Sequence, residues 1–383
     1  MYAARGAATM GRVVRFGIIG AAGRGNSYVR ALRANPATEL TALCDLRTEQ
    51  LAANATELGV DHTFVDAGEL IRSGTVDAVV VGTPMQFHAP QAILALEHDV
   101  HVLSEVTAAV SMEESVDLVR AARRSAATYM MAENYTYTKT NVLVRELARL
   151  GLFGEPYYGE GAYIHELKQL NEKTTWRRHW QTGVNGCTYP THSLGPVLQW
   201  FDAGRSRPDR VVAVCAVGTG HHYRDPRGDR YEMEDSVTMM CRLASGGMVQ
   251  IRVDMLSDRP HNMVHYALQG TDGAYESTDG HEAAPKVWLR ERHATPTWEP
   301  LAALEEEYLP EFWKNPPDEA LQAGHGGGDY WEVQDFVRAI LEEDEPPIGI
   351  DAAMDMTLPG LVSQQSLSQG STWVAVPDPR NWT

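Results

Sequence analysis

Three glycines and an aspartate carry the first chemical message of this chain. Gly20, Gly23 and Gly25, with Ala22 and Arg24 among them, strip side chains from a turn where a backbone can approach a bulky anionic group. The turn follows the apolar, β-branched run Val13 to Ile19 and opens what reads as a helix, so its amides face whatever sits at that helix N-terminus. A pyrophosphate fits there. Asp45 closes the next apolar run, at the distance where a carboxylate accepts both hydroxyls of an adenosine ribose and repels a 2′-phosphate. These residues predict NAD rather than NADP; Arg47, two positions later, pulls the other way. The plainer reading is a strand-to-helix turn with structural glycines. The strand before it, the helix after it and the correctly spaced acid favour the cofactor.

Elements that would position this turn continue along the chain. "TVDAVVVGTP" reads as a buried strand, "PQAILALEHD" as a helix, "VHVLSEV" as a strand, and "SMEESVDLVRAARRSA" as a helix with Ser111 and Glu114 in capping-box spacing. "TYMMAENY" supplies another strand. Strands separated by helices make a parallel sheet with right-handed crossovers, and its ligand lies at the carboxyl ends of the strands. Thr83, Pro84 and His88 of "GTPMQFH", Glu105 of "SEV" and Asn134 of "ENY" therefore join the cofactor candidates, His88 and Glu105 each having a structural reading beside it.

The pattern changes after about residue 134. A helix, "TNVLVRELARLG", precedes long alternating segments, among them "PYYGEGAYIHEL" and "DSVTMMCRLASGGMVQIRVDM", the latter folded at an "ASGG" hairpin. Consecutive antiparallel strands imply an open sheet with helices on one face, the other pairing with a second subunit. The stretch from about Ala283 to Gly328, rich in Pro, Glu and Trp, reads as a loop. The expectation is an α/β protein: a Rossmann-type doubly wound parallel sheet at 13–133, then an α+β domain with a large open, mostly antiparallel sheet at 134–383, after a disordered leader at 1–12. A homodimer or homotetramer is expected.

Composition sets the outer limits. Of 383 residues 43% are hydrophobic, enough for two cores. With 33 Lys and Arg against 51 Asp and Glu the formal charge is −18, which argues against nucleic acid or an anionic membrane as partner. Cys44, Cys187, Cys215 and Cys241 are far apart and fit free thiols in a reducing compartment. No apolar run is long enough to span a bilayer and "MYAARGAATMGR" lacks a signal-peptide core, so the cytoplasm is expected. His221 and His222 have no partner at metal spacing, and no metal is assigned.

"FGIIGAAGRG", "TPMQFHAP" and "SEV", followed by a sheet domain, resemble the Gfo/Idh/MocA family of nicotinamide-dependent sugar oxidoreductases. That family's usual E-K-P is here Glu105-Val106-Thr107, without the lysine. Its D-x-G-x-H is here Thr188-Tyr189-Pro190-Thr191-His192, with the histidine kept and the aspartate lost. "SEVTAA", "TYPTHSLGPV" and "GHGGGDY" narrow the likeness to glycoside hydrolase family 109, a branch that hydrolyses glycosides with a tightly held NAD.

The resemblance implies a mechanism. His192 takes a hydroxyl proton as the sugar is oxidised, at C3, and a histidine does this near neutral pH without the tuning a lysine needs. The neighbouring C–H is then acidified, the aglycone leaves by elimination, water adds, and the sugar is reduced again. Tyr189 is the second acid–base candidate. Arg177, or its neighbour Arg178, is expected to contact substrate, Trp176 and Trp180 to face a sugar ring or pack between elements, and His325 or Asp329 to touch a hydroxyl or merely close a glycine turn. Two alternatives stay open: a plain NAD-dependent sugar or polyol dehydrogenase, and a sensor or assembly protein holding NAD as a structural ligand.

Overall fold

The computed structural model describes residues 12–205, 208–260, 263–277 and 284–383. The expected leader lies, but for residue 12, outside the described residues. The chain forms two compact units, and neither is continuous. Met1–Thr138, Pro316–Met354 and Pro379–Thr383 make the first; Lys139–Asn315 and Asp355–Asp378 make the second. The expected boundary near 134 is thus close to the first crossing, but a later segment returns to the first unit.

The first unit holds a six-stranded sheet: β1 (Val14–Ile19), β2 (Thr38–Cys44), β3 (His62–Phe64), β4 (Ala78–Val81), β5 (His101–Glu105) and β6 (Tyr129–Ala132), in the order β3-β2-β1-β4-β5-β6. All neighbours are parallel. The apolar runs mark strands buried on both faces: every residue of β4 and β6 is buried. Helix Met112–Arg124 starts as the spacing expects, Ser111 accepting the Glu114 amide at 3.1 Å, while the Glu114 carboxylate accepts the Val110 amide at 3.0 Å. The returning helix Gly328–Glu342 closes this core, Phe336 meeting Phe16 edge to face at 6.1 Å. β3 has three residues, too few to show a period in the sequence.

The second unit holds a nine-stranded sheet built from β7 (Pro156–Ile164), β8 (Val211–Gly218), β9 (Ser236–Leu243), β10 (Met248–Asp254), β11 (Met263–Gly270), β12 (Gly273–Glu276), β13 (Lys286–Leu289), β14 (Glu299–Pro300) and β15 (Val374–Ala375). Its order is β14-β13-β12-β11-β7-β10-β9-β8-β15. Pairing is antiparallel except between β7 and β10, which are parallel because a long excursion separates them. In β9, Val237, Met239 and Cys241 are buried while Thr238 and Met240 are half-buried and Arg242 is exposed, the alternation of a sheet covered on one face. Helix Thr191–Asp202 lies on the covered face, and its fully buried Trp200 meets Tyr266 and Tyr275 edge to face. The stretch expected as one long loop is instead the β13–β14 pair and a series of one-turn helices through Asp318–Leu321. Among the described residues no helix is long and apolar enough to cross a membrane.

Candidate active site

The dinucleotide half belongs to the first unit. Gly20 has φ +87°, and a Cβ there would lie 2.5 Å from the carbonyl oxygen of Gly82. A Cβ on Gly25 would lie 2.9 Å from the Gly20 oxygen, and one on Gly82 would lie 2.6 Å from the Gly25 Cα. Glycine is obligatory at all three places because the ends of β1 and β4 and the following turn meet backbone to backbone. Sequence reasoning missed Gly82, although its place directly after β4 in "VVGTP" is the signal. Asp45 accepts the Ala22 amide at 2.9 Å, the Arg47 amide at 2.9 Å and the Arg47 Nε at 3.1 Å. Burial pushes its carboxyl up, but the Arg47 side chain and the two amides outweigh burial and hold it below the usual range. Arg47 lies back on the acid instead of offering a separate cation to a 2′-phosphate.

His88 points both ring nitrogens at backbone carbonyls, Nδ1 at Thr107 (2.9 Å) and Nε2 at Thr83 (2.8 Å), and burial holds its pKa below the ordinary value. These bonds tie the loops after β4 and β5 together. Thr83 donates to Gln91 at 2.8 Å, and Pro84 leads into the short turn Met85–Phe87.

Arg24 does not reach outward from the glycine turn. Its Nη1 and Nη2 donate to Asp329 at 2.7 and 2.8 Å, and its Nε donates to Glu105, which also accepts the Tyr28 hydroxyl at 2.6 Å. Asp329 is fully buried and further accepts from His325 Nδ1 at 2.9 Å and Asn134 Nδ2 at 3.1 Å. Burial opposes the charge of both acids, but Arg24 and these donors hold each below its usual range. Expected at a sugar hydroxyl, Asp329 has its acceptors occupied within the dinucleotide unit, and His325 serves it. The turn preceding it has positive φ at His325, Gly326 and Gly327. Asn134 Oδ1 and both oxygens of the fully buried Glu332 have no hydrogen-bond partner. A side-chain-free cradle, an acid at the ribose position and a buried orphan acceptor after β6 fit NAD, with Gly20, Gly23, Gly25, Gly82, Asp45 and Asn134 as the residues that would hold it.

The candidate proton-transfer residues belong to the second unit. His192 sits in the first turn of helix Thr191–Asp202, buried, with its ring centroid 5.3 Å from Tyr189 and 5.1 Å from Tyr163. The Tyr163 hydroxyl and His165 Nδ1 are 2.8 Å apart. Sequence reasoning found Tyr189 and His192 and missed Tyr163. Its signal is the alternation in β7: Gly159, Gly161 and Tyr163 fall on one face, and His165 follows the strand directly. A Cβ on Gly159 would meet Val197 and Phe201, one on Gly161 would meet the backbone at Ser193, and Tyr163 meets His192. The two glycines let the helix settle on the strand, and the tyrosine fills the space at its N-terminal end.

Arg177 and Arg178 part company in helix Thr175–Trp180. Arg178 bonds the buried Asp225 at 3.4 Å and lies 4.7 Å over the Tyr231 ring. Arg177 lies 4.2 Å over the Trp176 ring, makes one long bond to Gln181 at 3.3 Å, and its buried Nε has no hydrogen-bond partner. The Nε of Arg178 is likewise buried and unpartnered, so the two differ in that Arg178 is held by a buried carboxylate and Arg177 only by a neutral amide, while one face of Trp176 is occupied by the Arg177 guanidinium. Trp180 is 37% exposed. Among the described residues no group of three or more His, Cys, Asp or Glu could hold a metal ion.

Residues 14–133 match the family model of the oxidoreductase NAD-binding Rossmann fold, and residues 137–382 that of the glycosyl hydrolase 109 C-terminal domain. A glycosyl hydrolase family 109 protein of Saccharopolyspora erythraea is 31% identical over 391 residues, spanning 95% of this chain and 83% of its own. An alpha-N-acetylgalactosaminidase of Shewanella oneidensis is 29% identical over 401 residues, spanning 96% and 85%. A levoglucosan dehydrogenase solved with NADH and levoglucosan superposes with a TM-score of 0.81 at 21% identity, covering 96% of this chain and 100% of that one, a likeness of fold.

Proposed function

The chain belongs to glycosyl hydrolase family 109, and from that premise we propose that it is an NAD-dependent glycosidase that cleaves its substrate without net redox change. NAD, when bound, supplies the reversible uptake of a hydride from the sugar, at C3, so that the neighbouring C–H is acidified and the aglycone can leave before water adds. His192 takes the hydroxyl proton and returns it at the end. Tyr189, or His192 acting a second time, removes the proton at C2. Tyr163, linked to His165, sits against both and keeps the His192 ring in place. Arg177, held by a neutral amide where Arg178 is held by a buried carboxylate, orients the sugar.

The observation that carries this reading is the Tyr163–Tyr189–His192 cluster, which gathers proton-transfer groups at one helix terminus in a chain that has Val106 in place of the usual lysine after β5. The relative named alpha-N-acetylgalactosaminidase makes N-acetylgalactosaminides the first substrates to try. We further propose a homodimer or homotetramer in the cytoplasm, without nucleic-acid or membrane partners; light scattering at micromolar concentration checks the first point.

Cleavage of aryl glycosides in deuterium oxide tests the mechanism. Deuterium at C2 of the released sugar is expected, and His192→Ala should lower turnover by about a hundredfold or more. Cleavage with no exchange at C2 defeats the proposal. Accumulation of NADH in step with sugar consumed would hand the protein to the dehydrogenase reading.

A further inference from the structure

The acids around Arg24 are one too many for the cations that face them. Arg24 is bound on one side by Glu105 and on the other by Asp329, so it contributes a single positive charge to two buried carboxylates. A third acid, Glu332, follows Asp329 by one helical turn in Gly328–Glu342 and is fully buried with neither oxygen hydrogen-bonded. It faces Asp329, Glu105, Glu133 and Arg24, and burial first, then its acidic neighbours, drives its carboxyl well above the usual range. Glu332 therefore keeps its proton. The trio of Arg24, Glu105 and Asp329 is left with one net negative charge. The other titratable groups turned toward it are Tyr28, which donates to Glu105, and His325, which pairs with Asp329; Glu133 can only add to the negative side.

In a sheet of this order the β1–β2 half takes the adenosine end of the dinucleotide, as Asp45 indicates, and the β4–β6 half takes the nicotinamide end. Glu105 ends β5 and Asn134 follows β6, so the negative trio belongs to the nicotinamide end. The oxidised nicotinamide ring is a cation and the reduced ring is neutral. We propose that Arg24, Glu105 and Asp329 act as a fixed-charge site selecting the oxidised cofactor, with Asp329 as the specificity-determining residue. The inference rests on the NAD-binding part of the proposed function alone, so no glycoside enters its test.

The test is a spectroelectrochemical titration of the purified holoprotein at 340 nm and pH 8, above the range in which ordinary histidines carry charge. The midpoint potential of bound cofactor is expected below that of the free couple. Asp329→Asn should raise it by about 30 mV, a tenfold change in the ratio of affinities for the two states of a two-electron couple, while Asp329→Glu restores the wild-type value. Glu332→Gln should leave it unmoved. Thermal unfolding of each variant shows whether the fold is retained, a property that a purely structural role of Asp329 would alter without moving the potential. A wild-type potential at or above that of the free couple overturns the proposal, and so does an unmoved Asp329→Asn or a Glu332→Gln shift as large as that of Asp329→Asn. If Asp329→Asn fails to hold cofactor, the wild-type comparison with the free couple decides.

Discussion

Replacing Gly161 with alanine tests whether β7 sets the position of His192. A methyl carbon built at Gly161 falls 1.9 Å from the carbonyl oxygen of Ser193, where real Cβ atoms do not come within 3.0 Å. The obstacle is backbone, so it cannot rotate aside. The first turn of helix Thr191–Asp202 must retreat by about 1 Å, a displacement of reacting groups that costs about a hundredfold in rate. Overpacking a strand-to-helix contact also costs about 1–3 kcal/mol of stability. Gly159→Ala is the control. Its methyl would meet Val197 Cγ1 at 2.6 Å and Phe201 Cε2 at 3.1 Å, which are side-chain atoms with room to adjust, and it lies farther along the helix from His192. Both variants should unfold at lower temperature, but only Gly161→Ala should lose kcat on an aryl glycoside by about a hundredfold. Cofactor content, measured on denatured protein, should be unchanged in both. Full turnover in Gly161→Ala, or equal losses in the two variants, refutes the idea that the glycine face of β7 positions the base.

Three further outcomes follow from the geometry. Asp45→Ala should weaken NAD binding by about 1.5–3 kcal/mol, the loss of hydrogen bonds to a charged acceptor, and narrow the preference over NADP; calorimetry with unchanged NAD affinity would contradict the assignment. Arg177→Ala should raise KM with little change in thermal stability, whereas Arg178→Ala, which strips a partner from buried Asp225, should lower stability; the reverse pattern would exchange their roles. Burial, helped by Asp209 and Asp355, pushes the Asp202 carboxyl up from 3.8 to about 7. The folded state thus favours the neutral acid, and this contribution to stability, complete below pH 4, is lost as pH rises toward 7. Denaturation of Asp202→Asn and wild type at pH 5 and pH 8 should show the variant gaining ground at the higher pH; an equal difference at both would exclude the effect.

The dinucleotide half was legible because its signals are local. The glycine turn, the acid after β2 and the capping box at Ser111 each depend on residues a few positions apart. Tyr189 and His192 were legible for the same reason, lying within one turn of each other. Tyr163 was not, since a tyrosine alternating in a strand looks like any core residue until the helix it touches is known. The role of Asp329 was hidden further, its partner Arg24 standing 305 positions away. A glycine-rich turn before a helix reads equally well as a substrate flap or as a clasp, and only the long-range ion pair distinguishes them. The same blindness to distant pairing turned the parallel β7–β10 neighbours into part of an expected antiparallel series.

The late return of residues 316–354 to the first unit sets a timetable for synthesis. All six strands of the parallel sheet are translated before Lys139, yet Phe336, which covers Phe16, and Asp329, which receives Arg24, emerge only after most of the other unit has been made. At ribosomal speeds of about 5–20 residues per second, the 305 positions between Arg24 and Asp329 amount to on the order of 15–60 s. For that interval the nascent sheet carries an uncovered apolar face and an arginine lacking one of its two carboxylates. Such a chain has reason to linger as a collapsed intermediate and to engage chaperones on the ribosome. A fragment ending at Thr138 would remain in that half-covered state for good, so the dinucleotide unit gains its independence only from the whole chain.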